Sequence, residues 1–226
     1  MIRAGLVVKV SIFYSFLFLI SLVSQQTHAQ DDCAIATAHP EATAAGCKVL
    51  DNGGNAFDAA IAVTAALGVV EPYSSGLGGG GFYLLHVADS GRDVFIDARE
   101  VAPERVSESM YLNAAGSVVP QRSREGPLAA AIPGIPAALK HLSKHYAKLP
   151  VGADLQPAIT LARDGFSVDP RYVRAVGWVE KRIRKFPLAE RIFFNQGERF
   201  EVGETLKQPE LAKTLEVMAR RFGLFL

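Results

Sequence analysis

The sequence predicts a mixed α+β domain from three observations. An alanine-rich apolar segment running from Asn55 to about Val70 has helical character but no polar face, so it has to be covered on both sides. A glycine-rich bend, Ser75 to Gly81, leads into two alternating stretches joined at Asp89-Ser90-Gly91, the pattern of a β-hairpin. Further along, four segments carry helical spacing between Pro or Gly boundaries. With 226 residues, 49% of them hydrophobic and 21% charged, the chain suffices for one good-sized core and is too short for two comfortable ones.

The elements follow in order. His39-Pro40 opens a helix over about Glu41 to Leu50, closed by Asp51-Asn52-Gly53-Gly54, where glycine is free to take the left-handed cap. Asn55 caps the apolar helix, and Asp58 three residues later gives it an acidic first turn that suits the helix dipole. Its alanines allow close approach to a sheet. Glu71-Pro72 ends it. The glycine bend lacks the Lys-Ser/Thr and following helix of a phosphate loop and enters a strand, Phe82 to Val87, so it reads as backbone turning tightly against a neighbour or a substrate. In the return strand, Asp93 to Asp97, the period of two puts Phe95 and Asp97 on one face and Val94 and Ile96 on the other.

Beyond Pro103 the chain is loop-like to Gly126, with a short helix expected near Ser107 to Leu112. Ile132-Pro133-Gly134-Ile135-Pro136 stiffens the approach to a helix over about Ala137 to Ala147. A second helix covers about Leu155 to Arg163 and stops at Gly165. Asp169-Pro170 starts a third, with Tyr172, Val176, Val179, Ile183 and Phe186 as its apolar stripe and Pro187 as its breaker. Phe193 to Gly203 reads as a turn-rich connection, and Pro209 to Arg221 as a last amphipathic helix ending at Gly223.

A formal net charge of +1 argues against nucleic acid as the main partner. The basic cluster Lys181, Arg182, Arg184 and Lys185 alternates with apolar residues at helical spacing and reads as a solvated helix face. Residues 1–29 have the pattern of a signal peptide: basic Arg3 and Lys9, an apolar run from Val10 to Val23 too short for a stable membrane span, and small residues at Thr27 and Ala29. The expectation is an exported protein, periplasmic or secreted, whose mature part is a partial domain over 30–226. In an oxidising compartment Cys33 and Cys47 can pair; Cys47, within an alanine-rich helical pattern, fits a buried free thiol equally well. The two cysteines and five histidines show no metal-ligand spacing, so neither metal nor cofactor is expected.

Arg99 follows directly on the return strand, on the Asp97 side if the extended period holds. Beside Asp97 and Glu100, such an arginine is either a salt-bridged surface group or a carboxylate binder.

Six motifs now carry a resemblance: HPEAT, GGNAFDAA, SGLGGGGF, DAREVAP, AAIPGIPAAL and LARDGF, spread from about Ala36 to Arg221. In this order and spacing the chain resembles the large-subunit end of the γ-glutamyltranspeptidases, or glutathione hydrolases, a family of N-terminal-nucleophile hydrolases. The resemblance implies a four-layer αββα sandwich, here incomplete, made from a precursor that cuts itself into large and small subunits. The new N-terminal threonine of the small subunit attacks the γ-glutamyl carbonyl, its own amine serving as base, and the glutamyl group passes to water or to an amino acid or peptide. Oxyanion donors also come from the small subunit. The arginine of the family's R-E-x-A-P motif, which binds the glutamyl α-carboxylate, falls on Arg99; the neighbouring glutamate falls on Glu100, with the role of holding the arginine or the loop. The small-molecule substrate implied is glutathione or another γ-glutamyl compound.

The nucleophile's Thr-Thr motif has no counterpart here: none of Thr27, Thr37, Thr43, Thr64, Thr160, Thr205 or Thr214 is followed by threonine. The expectation is therefore a chain that carries substrate-binding residues but no catalytic residue, is inactive alone, and needs small-subunit sequence. Two alternatives stand beside it: an exported, non-catalytic module that binds γ-glutamyl compounds or glutamate through Arg99, and a glutaryl-type β-lactam acylase of the same family.

Overall fold

The computed structural model describes residues 33–222. The segment 1–29 with its signal-peptide pattern, and Gly223, lie outside the described residues. Two units are distinguished, Met1–Ala34 and Ile35–Leu226; of the first only Cys33 and Ala34 are described. The account below concerns the second.

Its first two helices, α1 (Pro40–Asp51) and α2 (Ala56–Val70), form a tight pair. The His39 ring caps α1 by accepting from the Glu41 N–H at 3.2 Å. Gly46 permits the pairing, because a Cβ there would stand 2.8 Å from Val63. Asn55 and Asp58 make a full capping box on α2: Asn55 Oδ1 accepts from the Phe57 and Asp58 N–H groups, and Asp58 accepts from the Asn55 N–H at 2.7 Å. Asp58 does more than its sequence position implies. It is fully buried and also accepts from the N–H groups of Lys148 and Leu149, which ties the loop after the next helix to the start of α2. Ile61, Ala62, Ala65, Ala66, Val69 and Val70 are all buried, as expected of a helix without a polar face. The cover differs from expectation, coming mostly from helices α1 and α4 (Val151–Asp164) rather than from a sheet. The alanines that allow approach to a sheet serve equally to let helices close in.

The hairpin is β1 (Gly81–Val87) and β2 (Arg92–Ala98), antiparallel in the register Phe82↔Asp97, Leu84↔Phe95, with Gly91 left-handed at the turn. Val94, Ile96 and Leu85 pack on the core, whereas Phe82, Leu84 and Phe95 face out, as the two-residue period predicts.

The segment 107–112 is not a helix. Single turns close at Met110 and Leu112; then the Asn113 side chain accepts from the N–H groups of Ala115 and Ser117 and folds the chain back so that Leu112 bridges Val118. The helix α3 (Ile135–His145) begins with Pro136 in its first turn. α4 starts a full turn before the predicted Leu155 and carries Pro157 inside it. Gly165 ends it with φ +96°, and a two-residue strand β3 (Phe166–Ser167) pairs with β4 (Thr205–Leu206). The helix α5 (Pro170–Ile183) is capped by Asp169 and buries Tyr172 and Val176. Pro187 does not break this helix, which has already ended; it opens a separate short one, α6 (Pro187–Phe193), where a missing N–H costs nothing. Phe186 accordingly caps α6 instead of extending the α5 stripe. α7 (Pro209–Arg221) forms over the predicted span and packs along α4, and the buried Gln208 amide donates to the Val69 carbonyl of α2 at 2.8 Å.

Neither Cys33 nor Cys47 is a free thiol; both are disulfide-bonded. Among the described residues no helix is long and apolar enough to cross a membrane.

Candidate functional site

The site grows from the end of β2. With β2 extended to Ala98, Arg99 emerges on the outward face with Asp97 and Phe95. The Arg99 N–H donates to Asp97 Oδ1 at 2.9 Å, which fixes the backbone just past the strand. Its guanidinium lies 5.8 Å from the centroid of the Phe82 ring, itself stacked on Phe95 at 5.5 Å. Nε donates to Glu100 Oε2 at 3.1 Å. The two terminal nitrogens have no partner among the described residues, and the side chain is 61% exposed. A guanidinium held through Nε and free at both tips has the geometry to take a planar anion.

Glu100 turns the other way, into a cleft of ≈ 410 Å³ between Tyr73, Ser74, Ser75, the glycine bend and Ile135. Hydrogen bonding to its own N–H, then to Arg99 and to the Gly80 N–H, holds its carboxyl below the usual carboxylate range. The carboxylate thus joins the arginine to the bend. Gly80 has to be glycine: a Cβ would stand 2.6 Å from Glu100 Oε2 and 2.7 Å from the Ala98 carbonyl oxygen. Gly134 is tighter still, since a Cβ there would overlap the Ala98 carbonyl. Gly134 and Ile135 both donate to the Gly79 carbonyl at 3.2 Å, and Val101 and Ile132 exchange backbone hydrogen bonds. Two segments distant in sequence, the glycine bend and 132–135, therefore clamp the two residues Arg99-Glu100. At the far wall of the cleft, burial and then Glu71 push the Tyr73 phenol up to about 12, so it stays a neutral hydroxyl at any ordinary pH.

The structure brings Arg99 and Glu100 together as the sequence predicts and places both beside the glycine bend. Sequence reasoning missed the role of Gly134 and the Tyr73-Ser74 part of the wall. For Gly134 the signal was present in IPGIP, but which backbone it would meet is a long-range fact. Among the described residues no cluster of side chains is arranged to hold a metal ion.

A family model described as Gamma-glutamyltranspeptidase matches residues 42–222. The chain belongs to the γ-glutamyltranspeptidase family. It is 36% identical over 206 residues to a glutathione hydrolase proenzyme of Pseudomonas sp. (strain A14), covering 91% of this chain and 36% of that one. The solved structure of Helicobacter pylori γ-glutamyltranspeptidase superposes with a TM-score of 0.80 at 36% identity, over 84% of this chain and 54% of the other. A cephalosporin acylase from Bacillus halodurans gives 0.73 at 31% identity, over 82% of this chain and 35% of that one. The present chain spans about a third of the length of the curated relatives it matches. Its α+β architecture is the corresponding part of the N-terminal-nucleophile hydrolase sandwich: the hairpin with helices over one face. Within this γ-glutamyltranspeptidase segment, the clamped Arg99-Glu100 pair lies in the matched region.

Proposed function

We propose that this chain is the substrate-recognition part of an exported γ-glutamyltransferase or glutathione hydrolase. In this reading Arg99 takes the α-carboxylate of a γ-glutamyl group through its two terminal nitrogens. Glu100 positions the arginine by occupying Nε and anchors it to the glycine bend. The nucleophilic threonine and the oxyanion donors belong to small-subunit sequence from the same precursor, and the glutamyl group passes from that threonine to water or to an amino acid or peptide. The substrate is glutathione or a related γ-glutamyl compound. Family membership supports the reaction class. The single observation that supports the residue assignment is the geometry of Arg99, exposed, bound through Nε alone and backed by Phe82.

The test is kinetic. In the full-length precursor, Arg99→Lys and Arg99→Ala are expected to lower kcat/KM for a γ-glutamyl anilide by roughly 10- to 100-fold. The loss falls mainly on KM, with self-cleavage into subunits intact. Unchanged KM in both variants would remove Arg99 from the site. A glutaryl-type acylase is a second reading, favoured by the structural likeness to the cephalosporin acylase. A glutaryl anilide turned over faster than its γ-glutamyl counterpart by the same precursor decides for it.

A further inference from the structure

A second surface, made of residues that do not line the cleft at the glycine bend, has the composition of a docking site. Helix α5 buries Tyr172 and Val176 on its inner side. Its outer side presents Arg171, Arg174, Trp178, Lys181 and Arg182, all exposed, at three- and four-residue spacings along one stripe. Trp178 is the only tryptophan of the chain and is 80% exposed. It borders a groove of ≈ 440 Å³ with Val173, Arg174, Gly177, Arg199 and Val202.

The groove is preformed. Glu180 binds Arg199 through Nε at 2.8 Å and also through Nη2, so the guanidinium lies flat against Gly177, where a Cβ would meet Nη1 at 3.3 Å. The same Glu180 accepts from Arg184, which continues to Glu190 and the Gly197 carbonyl and covers the Phe194 ring at 4.2 Å. This network ties α5, α6 and the following turn together and occupies Glu180 and Glu190. Arg174, Lys181 and Arg182 have no acidic partner among the described residues. α5 therefore carries four cations against the single acid Glu180, on a chain whose net charge is only +1.

We propose that this groove docks an acidic peptide segment bearing a bulky apolar side chain. The apolar side chain fills the space between Val173, Trp178 and Val202, and its flanking carboxylates meet Arg174, Lys181 and Arg182. Two features favour a peptide. The concavity has room for a side chain with its backbone, whereas a bilayer surface cannot enter it. The unneutralised cations flank the groove in a row along the helix, as an extended acidic segment requires. The proposal does not depend on the γ-glutamyl reading.

Because Trp178 is alone, its emission reports the groove directly. The full chain, carrying Leu84→Lys and Phe95→Lys to suppress association through the exposed hairpin face, is titrated with a short capped peptide of alternating glutamate and leucine. A saturable blue shift is expected, weakening as salt is raised. Arg174→Glu, and separately the double variant Lys181→Glu/Arg182→Glu, are each expected to weaken binding about tenfold or more with unchanged circular dichroism; the second keeps the test alive if the first disturbs the fold. Four results overturn the proposal. They are no shift, an equal shift with lysine replacing glutamate, a shift only with anionic phospholipid vesicles, or a shift on concentrating the protein alone, which assigns the face to a second copy of this chain.

Discussion

Two glycines decide how Arg99 is presented. Gly80 and Gly134 approach the Ala98-Arg99 backbone from opposite strands of sequence, and neither site leaves room for a methyl group. Gly134→Ala would push α3 off the end of β2, because the obstructing atom is a carbonyl of a paired strand and not the tip of a flexible side chain. Overpacking of this kind costs typically about 1–3 kcal/mol. The expected outcome is a lowered thermal midpoint together with a raised KM for the γ-glutamyl substrate in the full-length precursor. Gly152→Ala, outside the cleft, where a Cβ would make only ordinary contact with Ala219 at 3.6 Å, is the control and should leave both nearly unchanged. Equal behaviour of the two variants would show that the clamp does not set the arginine.

At the scale of elements, the junction of α2 with α4 holds a pair of buried acids. Asp58 is satisfied by backbone N–H groups, whereas Asp154 in the first turn of α4 is equally buried and neither of its oxygens has a hydrogen-bond partner. Burial, and then the charge of Asp58 beside it, push the Asp154 carboxyl up from 3.8 to about 7. A folded-state pKa above the unfolded value means that the native protein keeps a proton the unfolded chain gives up. Stability from this residue is therefore full below about pH 4, falls as pH rises from 3.8 towards 7, and levels off above that. The slope within the window approaches about 1.4 kcal/mol per pH unit. Asp154→Asn places an amide N–H beside Asp58 and has no proton to lose. Denaturant melts at several pH values should find it equal to the parent near pH 4 and increasingly more stable up to pH 7. Parallel curves for the two proteins would rule out a titrating Asp154.

For the whole molecule, the notable feature is the face the hairpin leaves uncovered. Phe82, Leu84 and Phe95 are 57%, 78% and 62% exposed, and among the described residues both strands of the two-stranded sheet have an open edge. Such a surface is an association site. The residues present, expressed alone as 30–226, are expected to self-associate or bind a hydrophobic dye, and Leu84→Lys with Phe95→Lys should reduce both. A soluble monomer with no dye binding before substitution would contradict this. Arg99 lies at the edge of the same face, so in the proposed enzyme whatever covers the hairpin also encloses the substrate.

Local patterns determined much of this protein. The bounds of α2 and α7, the left-handed Gly53 and Gly91, and the alternation that sends Arg99 outward with Asp97 all follow from short-range rules, because caps, turns and strand periods are settled within a few residues. The errors arose where turn chemistry and partners a short way along the chain outcompeted the helical pattern. Pro187 disfavours helical backbone at Phe186 before it, so α5 ends at Ile183 and Pro187 starts the next helix, with Arg184 reaching Glu190 and the Gly197 carbonyl across the bend. Asn113 and the Leu112–Val118 bridge replace the expected helix at 107–112. The sequence by itself therefore determined the elements, the candidate arginine and, through six motifs, the family. Only the tertiary structure decided what clamps that arginine, that Asp58 and Asp154 meet in the core, and that Trp178 stands over a groove. Each of these depends on contacts between residues tens of positions apart, for which no local periodicity exists.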